Sequence, residues 1–547
     1  MTSSTFLARL LSVLLFAGLG AAAGADAQPT LQDIPDQYIA EGALFVPIEL
    51  DDYVTDDLYP DGDISWTFFT TGELTVSVSE RVVTVSTPGP TWFGSETVIF
   101  RGTNPASLWA EDTVTFTVEE TSYRPLNLAD WQVSTPANEG LDPNLVMETY
   151  HRADTIPHLY SWLICKNGRL VAEKYYHGKT VSSTHQMMSA TKSVTSILAG
   201  ISLSQGYISS LDQPIKDFFP EVNWSALDPR KSEITVRQIL QMRSGYPFDN
   251  NMITNWTVQN LVQLPLSSDP GTEFAYSNAS SYFMGVAIAR AAVQPLQYYG
   301  YDNLFEPLGM YPTPYWAVSQ EGYNLGFSHL NLKSRDMAKI GQLYLDGGKW
   351  QGSQLVPVEW VAASLTPYSL VYPYLTEHVR TVEYGYNWWL GHTETYSFWY
   401  AWGHGGQLIV LVPTHDIVVV ATADPLMSDF TEYSWVLEGS VVDLAGRFIS
   451  ELGEPDPVGC CFGRVGNANG VGDYPDEITI GDVQTLVTAK FIQGKCDGYV
   501  PCIAEGDVNQ SGGVNPTCDD ITISDIQTLV NHLFIVGPAD APLDWCL

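Results

Sequence analysis

Ser189-Ala190-Thr191-Lys192 stands at the start of a strongly helical run and places a serine and a lysine three residues apart. Residues i and i+3 share one face of a helix, so the Lys192 amine can reach the Ser189 hydroxyl one turn back. Apolar residues recur with helical periodicity as far as Gly206, which predicts a largely buried helix with Ser189 in its first turn. A cation there opposes the helix dipole, and burial also disfavours its charged form. The stretch therefore predicts a nucleophile beside a neutral amine that serves as its base.

The composition is that of a globular and strongly acidic protein. The chain has 547 residues, 45% of them hydrophobic and 16% charged, which is enough for several domains and a sizeable core. Its 62 acidic and 25 basic residues give a formal net charge of -37. This charge argues against nucleic acid and against anionic membrane surfaces as partners.

The N-terminus has the pattern of a secretory signal. Arg9 precedes an apolar run over residues 10–23, and Ala25-Asp26-Ala27 has the small-x-small form of a cleavage site. We interpret residues 1–27 as a signal peptide, with an uncleaved membrane anchor as the alternative. No later stretch is apolar enough to span a bilayer. The expected location is therefore secreted or at the cell surface.

Cysteine usage agrees with export. Cys165 lies in an apolar, strand-like run and is predicted to be inert core. The remaining cysteines form an even set near the C-terminus, which predicts disulfides whose connectivity the sequence does not fix. They are Cys460, Cys461, Cys496, Cys502, Cys518 and Cys546.

Residues 31–120 contain short alternating runs separated by Pro, Gly and Asp turns, which predicts an antiparallel β-sandwich. This segment resembles the immunoglobulin-like or cadherin-like repeats of bacterial exported proteins. A spacer or binding role is expected, with carbohydrate binding as an alternative.

Residues 128–452 show mixed helix and strand signals. Two apolar runs around Lys166-Asn167-Gly168 predict a hairpin, and residues 234–242 predict an amphipathic helix. Residues 408–413 and 417–421 predict two late buried strands. An early hairpin, a helical middle and a late hairpin predict one sheet flanked by helices.

The C-terminal tail contains an internal repeat, because residues 480–487 recur almost unchanged at residues 523–530. Each copy predicts a helix preceded by an oxygen-rich loop, as in EF-hand calcium sites. The candidate ligands are Asn467, Asn469, Asp473 and Asp482 in the first copy, and Asp507, Asn509, Ser511 and Asp525 in the second.

Residues 460–547 thereby resemble the duplicated dockerin module, and both loops depart from its usual spacing. The resemblance implies structural calcium and a cohesin-like protein partner. The alternative is a disulfide-stapled helical hairpin with solvated turns.

Two motifs follow Ser189 in the central domain: Tyr276-Ser277-Asn278, and His404-Gly405-Gly406-Gln407 directly before a late strand. Together with the peripheral stretches Ile234-Thr235-Val236-Arg237 and Ser334-Arg335-Asp336-Met337-Ala338-Lys339, they resemble one serine hydrolase family. That family comprises class C β-lactamases, penicillin-binding-protein-type peptidases and related esterases. The resemblance covers residues 128–452.

The resemblance implies a role for each motif residue. Ser189 would be the nucleophile, Lys192 its base, and Tyr276 a proton relay to the leaving group, while Asn278 would orient the substrate or the lysine. The backbone N–H groups of Ser189 and Gln407 would form the oxyanion hole. Gly405 and Gly406 would let substrate lie close to the strand edge, since no Cβ intervenes. No cofactor is expected for catalysis.

His404 stands where β-lactamases and many of the peptidases carry a lysine that faces the substrate carboxylate. A histidine carries less positive charge at neutral pH, so anchoring of an anionic β-lactam should be weaker. Four nearby tryptophans could wall an apolar acyl pocket or belong to the core: Trp388, Trp389, Trp399 and Trp402.

The sequence thus predicts a multidomain protein: a β-sandwich, a central β-lactamase-like α/β domain (an antiparallel sheet flanked by helices, plus a helical subdomain) and a small α module with an EF-hand pair. Its predicted function is that of a secreted serine hydrolase forming an acyl-serine on small-molecule or peptide-like esters or amides. One alternative is a β-lactamase or D-Ala-D-Ala-type peptidase. Another is a non-catalytic cell-surface binding or scaffold protein.

Overall fold

The computed structural model describes residues 27–70, 72–248, 253–425 and 432–453. The tail with its candidate calcium ligands and six cysteines lies outside these residues, as do residues 1–26 of the predicted signal peptide. Two compact units are separated between Glu120 and Thr121.

The first unit is rich in short strands. Their bounds are β1 Thr30–Leu31, β2 Gln37–Ala40, β3 Ile48–Glu49, β4 Val54–Thr55, β5 Ser65–Thr70, β6 Thr75–Ser79, β7 Val82–Ser86, β8 Gly94–Thr103 and β9 Trp109–Glu119.

These strands form a four-stranded sheet, β2-β9-β8-β5, a three-stranded sheet, β3-β7-β6, and the pair β1-β4. Residues from both larger sheets share one apolar core, among them Ile39, Val83, Phe100 and Phe116. The expected antiparallel arrangement holds for most pairs, but β2 runs parallel to β9. Alternation of apolar residues reports which side chains are buried and not the direction of a partner strand, so the sequence could not show this pairing.

The second unit combines helices with a large sheet. The helices are α1 Pro143–Asp154, α2 Thr191–Ser204, α3 Val236–Leu240, α4 Val258–Leu261, α5 Asn278–Ala291, α6 Leu296–Gly300, α7 Ser334–Leu345, α8 Val358–Leu365 and α9 Glu432–Ser450. The strands are β10 Leu159–Lys166, β11 Arg169–Tyr175, β12 Thr184–Gln186, β13 Asn331–Lys333, β14 Lys349–Trp350, β15 Ser353–Gln354, β16 Ser369–Tyr374, β17 Arg380–Tyr384, β18 Trp389–His392, β19 Ser397–Gly403, β20 Gln407–Val412 and β21 Ile417–Ala423.

Eight of these strands form one antiparallel sheet in the order β11-β10-β21-β20-β19-β18-β17-β16. The predicted single sheet with an early and a late hairpin is confirmed, and β16 to β19 extend it beyond the predicted strands. The early hairpin closes at Asn167 and Gly168, which both have positive φ, 53° and 70°. Two such residues form the tight turn whose twist matches paired strands.

Helices cover both faces of the sheet. Gly341 of α7 packs so closely on β21 that a Cβ would lie 2.5 Å from Val418 Cγ1. On the other face α1 and α9 contact each other, and the Tyr150 hydroxyl of α1 donates to the Trp162 carbonyl of β10. Cys165 is wholly buried in β10, as predicted, and burial raises the pKa of its thiol.

The predicted helix over residues 234–242 is shorter than expected, since α3 covers only Val236–Leu240. It begins at a capping box in which Thr235 and Gln238 each bond the other's backbone N–H. Among the helices of the described ranges, none has both the length and the hydropathy needed to cross a bilayer.

Candidate active site

Ser189 and Lys192 meet at the N-terminal end of α2. Ser189 lies in the 3₁₀ turn Met188–Ala190, which leads directly into α2. Lys192 Nζ lies 3.0 Å from Ser189 Oγ, within hydrogen-bond distance, and the lysine side chain is only 1% exposed. Backbone N–H groups in a first helical turn have no acceptor within the helix, so the Ser189 N–H is suited to bind an oxyanion. The predicted spacing therefore produces the predicted contact.

A segment that the sequence analysis did not single out fixes the lysine. Lys192 Nζ donates to the Phe327 carbonyl at 3.1 Å, and Thr195 Oγ1 donates to the Gly326 carbonyl at 2.6 Å. Gly326 also lies against α5, since a Cβ there would be 2.6 Å from the Ser281 carbonyl oxygen. Residues 326–327 thus join the start of α2 to α5.

Tyr276 is placed by the start of α5. Ser277 caps this helix by accepting the Ser280 N–H, and Asn278 is its first, buried residue. The ring of Tyr276 lies beside the lysine, with Nζ 4.7 Å from the ring centroid. Three of the predicted residues, Ser189, Lys192 and Tyr276, are therefore neighbours in space.

The four tryptophans near the late hairpin separate into two pairs. Trp389 stacks on Tyr276 with centroids 5.5 Å apart, and Trp402 meets Trp389 edge-on at 5.3 Å. Trp388 is wholly buried in the apolar core of the second unit, and Trp399 packs against that core. The Trp399 Nε1–H donates to the Leu365 carbonyl at 2.6 Å. Only Trp389 and Trp402 thus lie on the Tyr276 side, and the other two serve the core.

The predicted His404-Gly405-Gly406 motif is the turn between β19 and β20, and Gln407 begins β20 opposite Gly403. The backbone geometry of the turn requires glycine at both positions. Gly405 and Gly406 have φ of +87° and +100°, and a Cβ on either would lie 2.7 Å from another part of the chain. The Gln407 side chain ties the turn to β21, donating to the Ala423 carbonyl at 2.7 Å.

Gly403 brings this hairpin against the nucleophile. A Cβ on Gly403 would lie 2.1 Å from the Met187 carbonyl oxygen and 3.1 Å from the Ala190 nitrogen. The end of β19 therefore packs on the backbone on both sides of Ser189. Sequence reasoning missed this glycine, and its only signal was its place directly before the His-Gly-Gly motif.

His404 is turned toward α9. Its Nδ1 lies 2.9 Å from Glu438 Oε2, and its side chain is 9% exposed. The same carboxylate oxygen accepts the Gly405 N–H at 3.1 Å. Glu438 gave no signal in the sequence because it lies beyond the recognised motifs. The predicted contact between His404 and substrate remains a prediction, as does the Gln407 N–H as an oxyanion donor.

One group of described side chains has potential metal ligands close together. Glu377, His378 and Asp443 present ligand atoms within 4.8 Å of one another. His378 Nδ1 lies 3.1 Å from Asp443 Oδ2, and the His378 N–H donates to Asp443 Oδ1 at 2.9 Å. A hydrogen-bonded pair on the surface accounts for this group without an ion.

Comparison with known proteins finds relatives for the second unit. The family model described as "Beta-lactamase" matches residues 158–429. The 6-aminohexanoate-dimer hydrolase of Paenarthrobacter ureafaciens is 23% identical over 313 residues, covering 52% of this chain and 77% of that protein. Beta-lactamase-like protein 4 of Dictyostelium discoideum is 26% identical over 204 residues, covering 32% of this chain and 36% of that protein. Among solved structures, the D-amino acid amidase from Ochrobactrum anthropi SV3 aligns at 17% identity with a TM-score of 0.43, covering 55% of this chain and 98% of the amidase.

The range matched by the family model contains Ser189, Lys192, Tyr276 and the His404 turn. This region has the β-lactamase-like α/β fold. It belongs to the β-lactamase and penicillin-binding-protein-like family of serine hydrolases.

Proposed function

We propose that the second unit is an esterase or amidase that works through an acyl-serine, with Ser189 as nucleophile and Lys192 as base. The observation that carries the proposal is the 3.0 Å contact between Lys192 Nζ and Ser189 Oγ, made by a lysine buried beside Tyr276. A nucleophile and a base within hydrogen-bond distance, with a third group fixing the base, are the requirement for this chemistry.

Phe327 is the group that fixes the base. One N–H of a neutral Lys192 amine donates to the Phe327 carbonyl, which leaves the lone pair to accept the Ser189 hydroxyl proton. Ser189 Oγ then attacks the substrate carbonyl carbon while its proton passes to Lys192. The tetrahedral oxyanion is stabilised by backbone N–H groups, for which Ser189 and Gln407 are the candidates.

Collapse of this intermediate breaks the bond to the alcohol or amine. The leaving group takes up a proton from Lys192, either directly or through the Tyr276 hydroxyl, and an acyl-Ser189 ester remains. Water attacks that ester, gives up a proton to the same base, and releases the acid and the free serine. Protons balance over the cycle, and no cofactor is needed.

The choice of esters and amides over β-lactams depends on the turn at residue 404. A β-lactam carries a carboxylate, and the His404 imidazole is already hydrogen-bonded to the Glu438 carboxylate. The 6-aminohexanoate-dimer hydrolase of Paenarthrobacter ureafaciens, to judge by its name, acts on an amide dimer, which supports amides as one substrate class. Slow nitrocefin hydrolysis relative to short-chain esters is expected, and efficient nitrocefin turnover would show that this choice is wrong.

Fluorophosphonate labelling tests the nucleophile against the alternative of a non-catalytic binding domain. Wild-type protein should be labelled, and Ser189→Ala should not. Ser204→Ala is the matched control, because Ser204 ends the same helix and donates to the Ile201 carbonyl away from the site. Absence of labelling in folded wild-type protein would refute the hydrolase proposal.

We also propose that the protein is exported and that its tail binds calcium and a cohesin-like partner. This rests on the signal pattern of residues 1–27 and on the duplicated loops of residues 460–547. A rise in the thermal midpoint of the tail with calcium, reversed by chelator, is expected. A midpoint that calcium leaves unchanged would count against the ion-binding loops.

A further inference from the structure

A buried carboxylate of α9 lies behind the turn that borders the candidate active site. Glu438 is 2% exposed, and its Oε2 accepts the Gly405 N–H at 3.1 Å and lies 2.9 Å from His404 Nδ1. Burial of an unpartnered carboxylate would be costly. The backbone N–H and the imidazole together stabilise the buried Glu438 carboxylate.

Two chains of neighbouring residues connect this carboxylate with the candidate active site. Gly403, two residues before Gly405, packs against the Met187 carbonyl oxygen beside Ser189. On the other side, the negative charge of Glu438 adds to burial in raising the pKa of Tyr372. The Tyr372 ring stacks on Trp389 at 6.4 Å, and Trp389 stacks on Tyr276.

The residues around the 403–405 turn set the local charge that a substrate meets. The His404 imidazole is paired with the Glu438 carboxylate, which offsets positive charge on the ring. The chain as a whole carries a formal charge of -37. A substrate carboxylate that approaches this turn therefore meets the buried negative charge of Glu438.

We propose that Glu438 is a specificity residue that excludes substrates carrying a carboxylate near the 403–405 turn and so selects uncharged or cationic esters and amides. This inference rests on the proposed hydrolase function and goes further by naming the charge class of the substrate and the residue that sets it. Glu438 acts through the turn and through its field, so it is not itself a catalytic residue.

Matched substrates that differ only in one charge test the inference. On the acyl side, mono-p-nitrophenyl adipate is compared with p-nitrophenyl methyl adipate. On the leaving-group side, m-acetoxybenzoate is compared with its methyl ester. The quantity measured is the ratio of kcat/KM for the neutral and the anionic member of each pair, in low salt, for wild type and Glu438→Gln.

Glu438→Gln keeps the shape of the side chain and removes the charge. In at least one pair it should reduce the neutral-to-anionic ratio by roughly threefold to tenfold, which corresponds to about 1 kcal/mol of interaction with one nearby charge. An acidic surface acting at long range would not respond to this single change, whereas a local charge would.

Asp443→Asn is the matched control. Asp443 lies on the same helix and, like Glu438, contacts a backbone N–H and a histidine Nδ1. Both of these groups belong to His378. The control variant should leave both ratios at their wild-type values. A ratio unchanged in Glu438→Gln, or reduced equally in Asp443→Asn, would overturn the proposal.

A second variant covers the case in which Glu438→Gln does not fold. His404→Lys keeps Glu438 paired and adds positive charge at the turn, so it should lower the same ratio. If Glu438→Gln does not fold and His404→Lys leaves the ratio at its wild-type value, charge at this turn does not set the preference and the proposal is overturned. Absence of fluorophosphonate labelling in folded wild-type protein would instead refute the hydrolase function. Failure of the charge-selection proposal and failure of the hydrolase proposal are therefore distinguishable.

Discussion

Lys192 is the residue on which the proposed chemistry depends most. It is buried, it lies 3.0 Å from the Ser189 hydroxyl, and it donates to a backbone carbonyl 135 residues further along the chain. An amine held in this way has its position fixed by the fold. Removing it should affect catalysis far more than stability.

Lys192→Gln should lower kcat/KM on a short-chain p-nitrophenyl ester by roughly a hundredfold to ten-thousandfold, the usual contribution of a general base. Lys231→Gln is the matched control, because Lys231 is also buried and donates to a backbone carbonyl, that of Val262, at 2.8 Å. The control should retain activity even if its thermal midpoint falls. Equal activity losses in the two variants would indicate a structural role for Lys192.

Tyr276 can be tested by removing its hydroxyl alone. Tyr276→Phe keeps the ring that stacks on Trp389 and borders Lys192, so the fold should be unaffected. If the hydroxyl relays the leaving-group proton, kcat should fall by about a hundredfold with little change in KM.

Tyr384→Phe is the control for this prediction. Tyr384 is a neighbouring ring, 6.1 Å from Tyr276, and its hydroxyl contacts the Asn387 side chain at 3.3 Å. Its kcat should stay within about twofold of wild type. A Tyr276→Phe enzyme with unchanged kcat would remove the hydroxyl from the mechanism.

At the scale of elements, the β19–β20 hairpin and the start of α2 form one rigid contact. The close approach of Gly403 to the Met187 carbonyl leaves no room for a side chain. Backbone on both sides cannot move aside as a flexible side chain can. The separation of hairpin and nucleophile is thus set by the absence of one methyl group.

Gly403→Ala should push the hairpin away from Ser189. We expect a loss of about 1–3 kcal/mol in the free energy of unfolding from overpacking. Activity should fall by roughly a hundredfold, because misplacement of about 1 Å is enough for such a loss. Urea unfolding and ester hydrolysis measure the two effects.

Gly391→Ala on β18 is the matched control for this prediction. Its added Cβ would meet the ring edge of Phe398 at 2.7 Å, and a side chain can shift where backbone cannot. It should therefore lose stability without a comparable loss of activity. If Gly403→Ala is as active as Gly391→Ala, the hairpin does not define the site.

Local spacing carried most of what the sequence predicted. The Ser189–Lys192 contact lies within one helical turn, and the 167–168 turn follows from residue types that tolerate positive φ. The missed features join residues far apart in the chain, such as Lys192 with the Phe327 carbonyl and Gly405 with Glu438. Such contacts have no spacing to recognise, because only the packing of complete elements creates them.

Buried histidines contribute to the response of the second unit to acid. Burial and the charge of Lys179 lower the pKa of His185 in β12 to about 4, from an ordinary value of 6.5. Burial also lowers the pKa of His158 and of His329. Between pH 6.5 and pH 4 the unfolded chain binds a proton at position 185 that the folded chain does not. The free energy of unfolding therefore falls as the pH is lowered through this window, and it is unaffected by His185 above it.

His185→Gln should flatten this response. A pKa shift of this size lowers the free energy of unfolding by about 2–3 kcal/mol at the acid end of the window. The variant should not show this decrease. Urea unfolding of wild type and variant at pH 7 and pH 4.5 measures the difference, in which contributions shared by both chains cancel. His151→Gln, at an exposed position of α1, is the control and should keep the wild-type difference. If His185→Gln and wild type lose the same stability between the two pH values, the buried imidazole of β12 is not what makes the fold sensitive to acid.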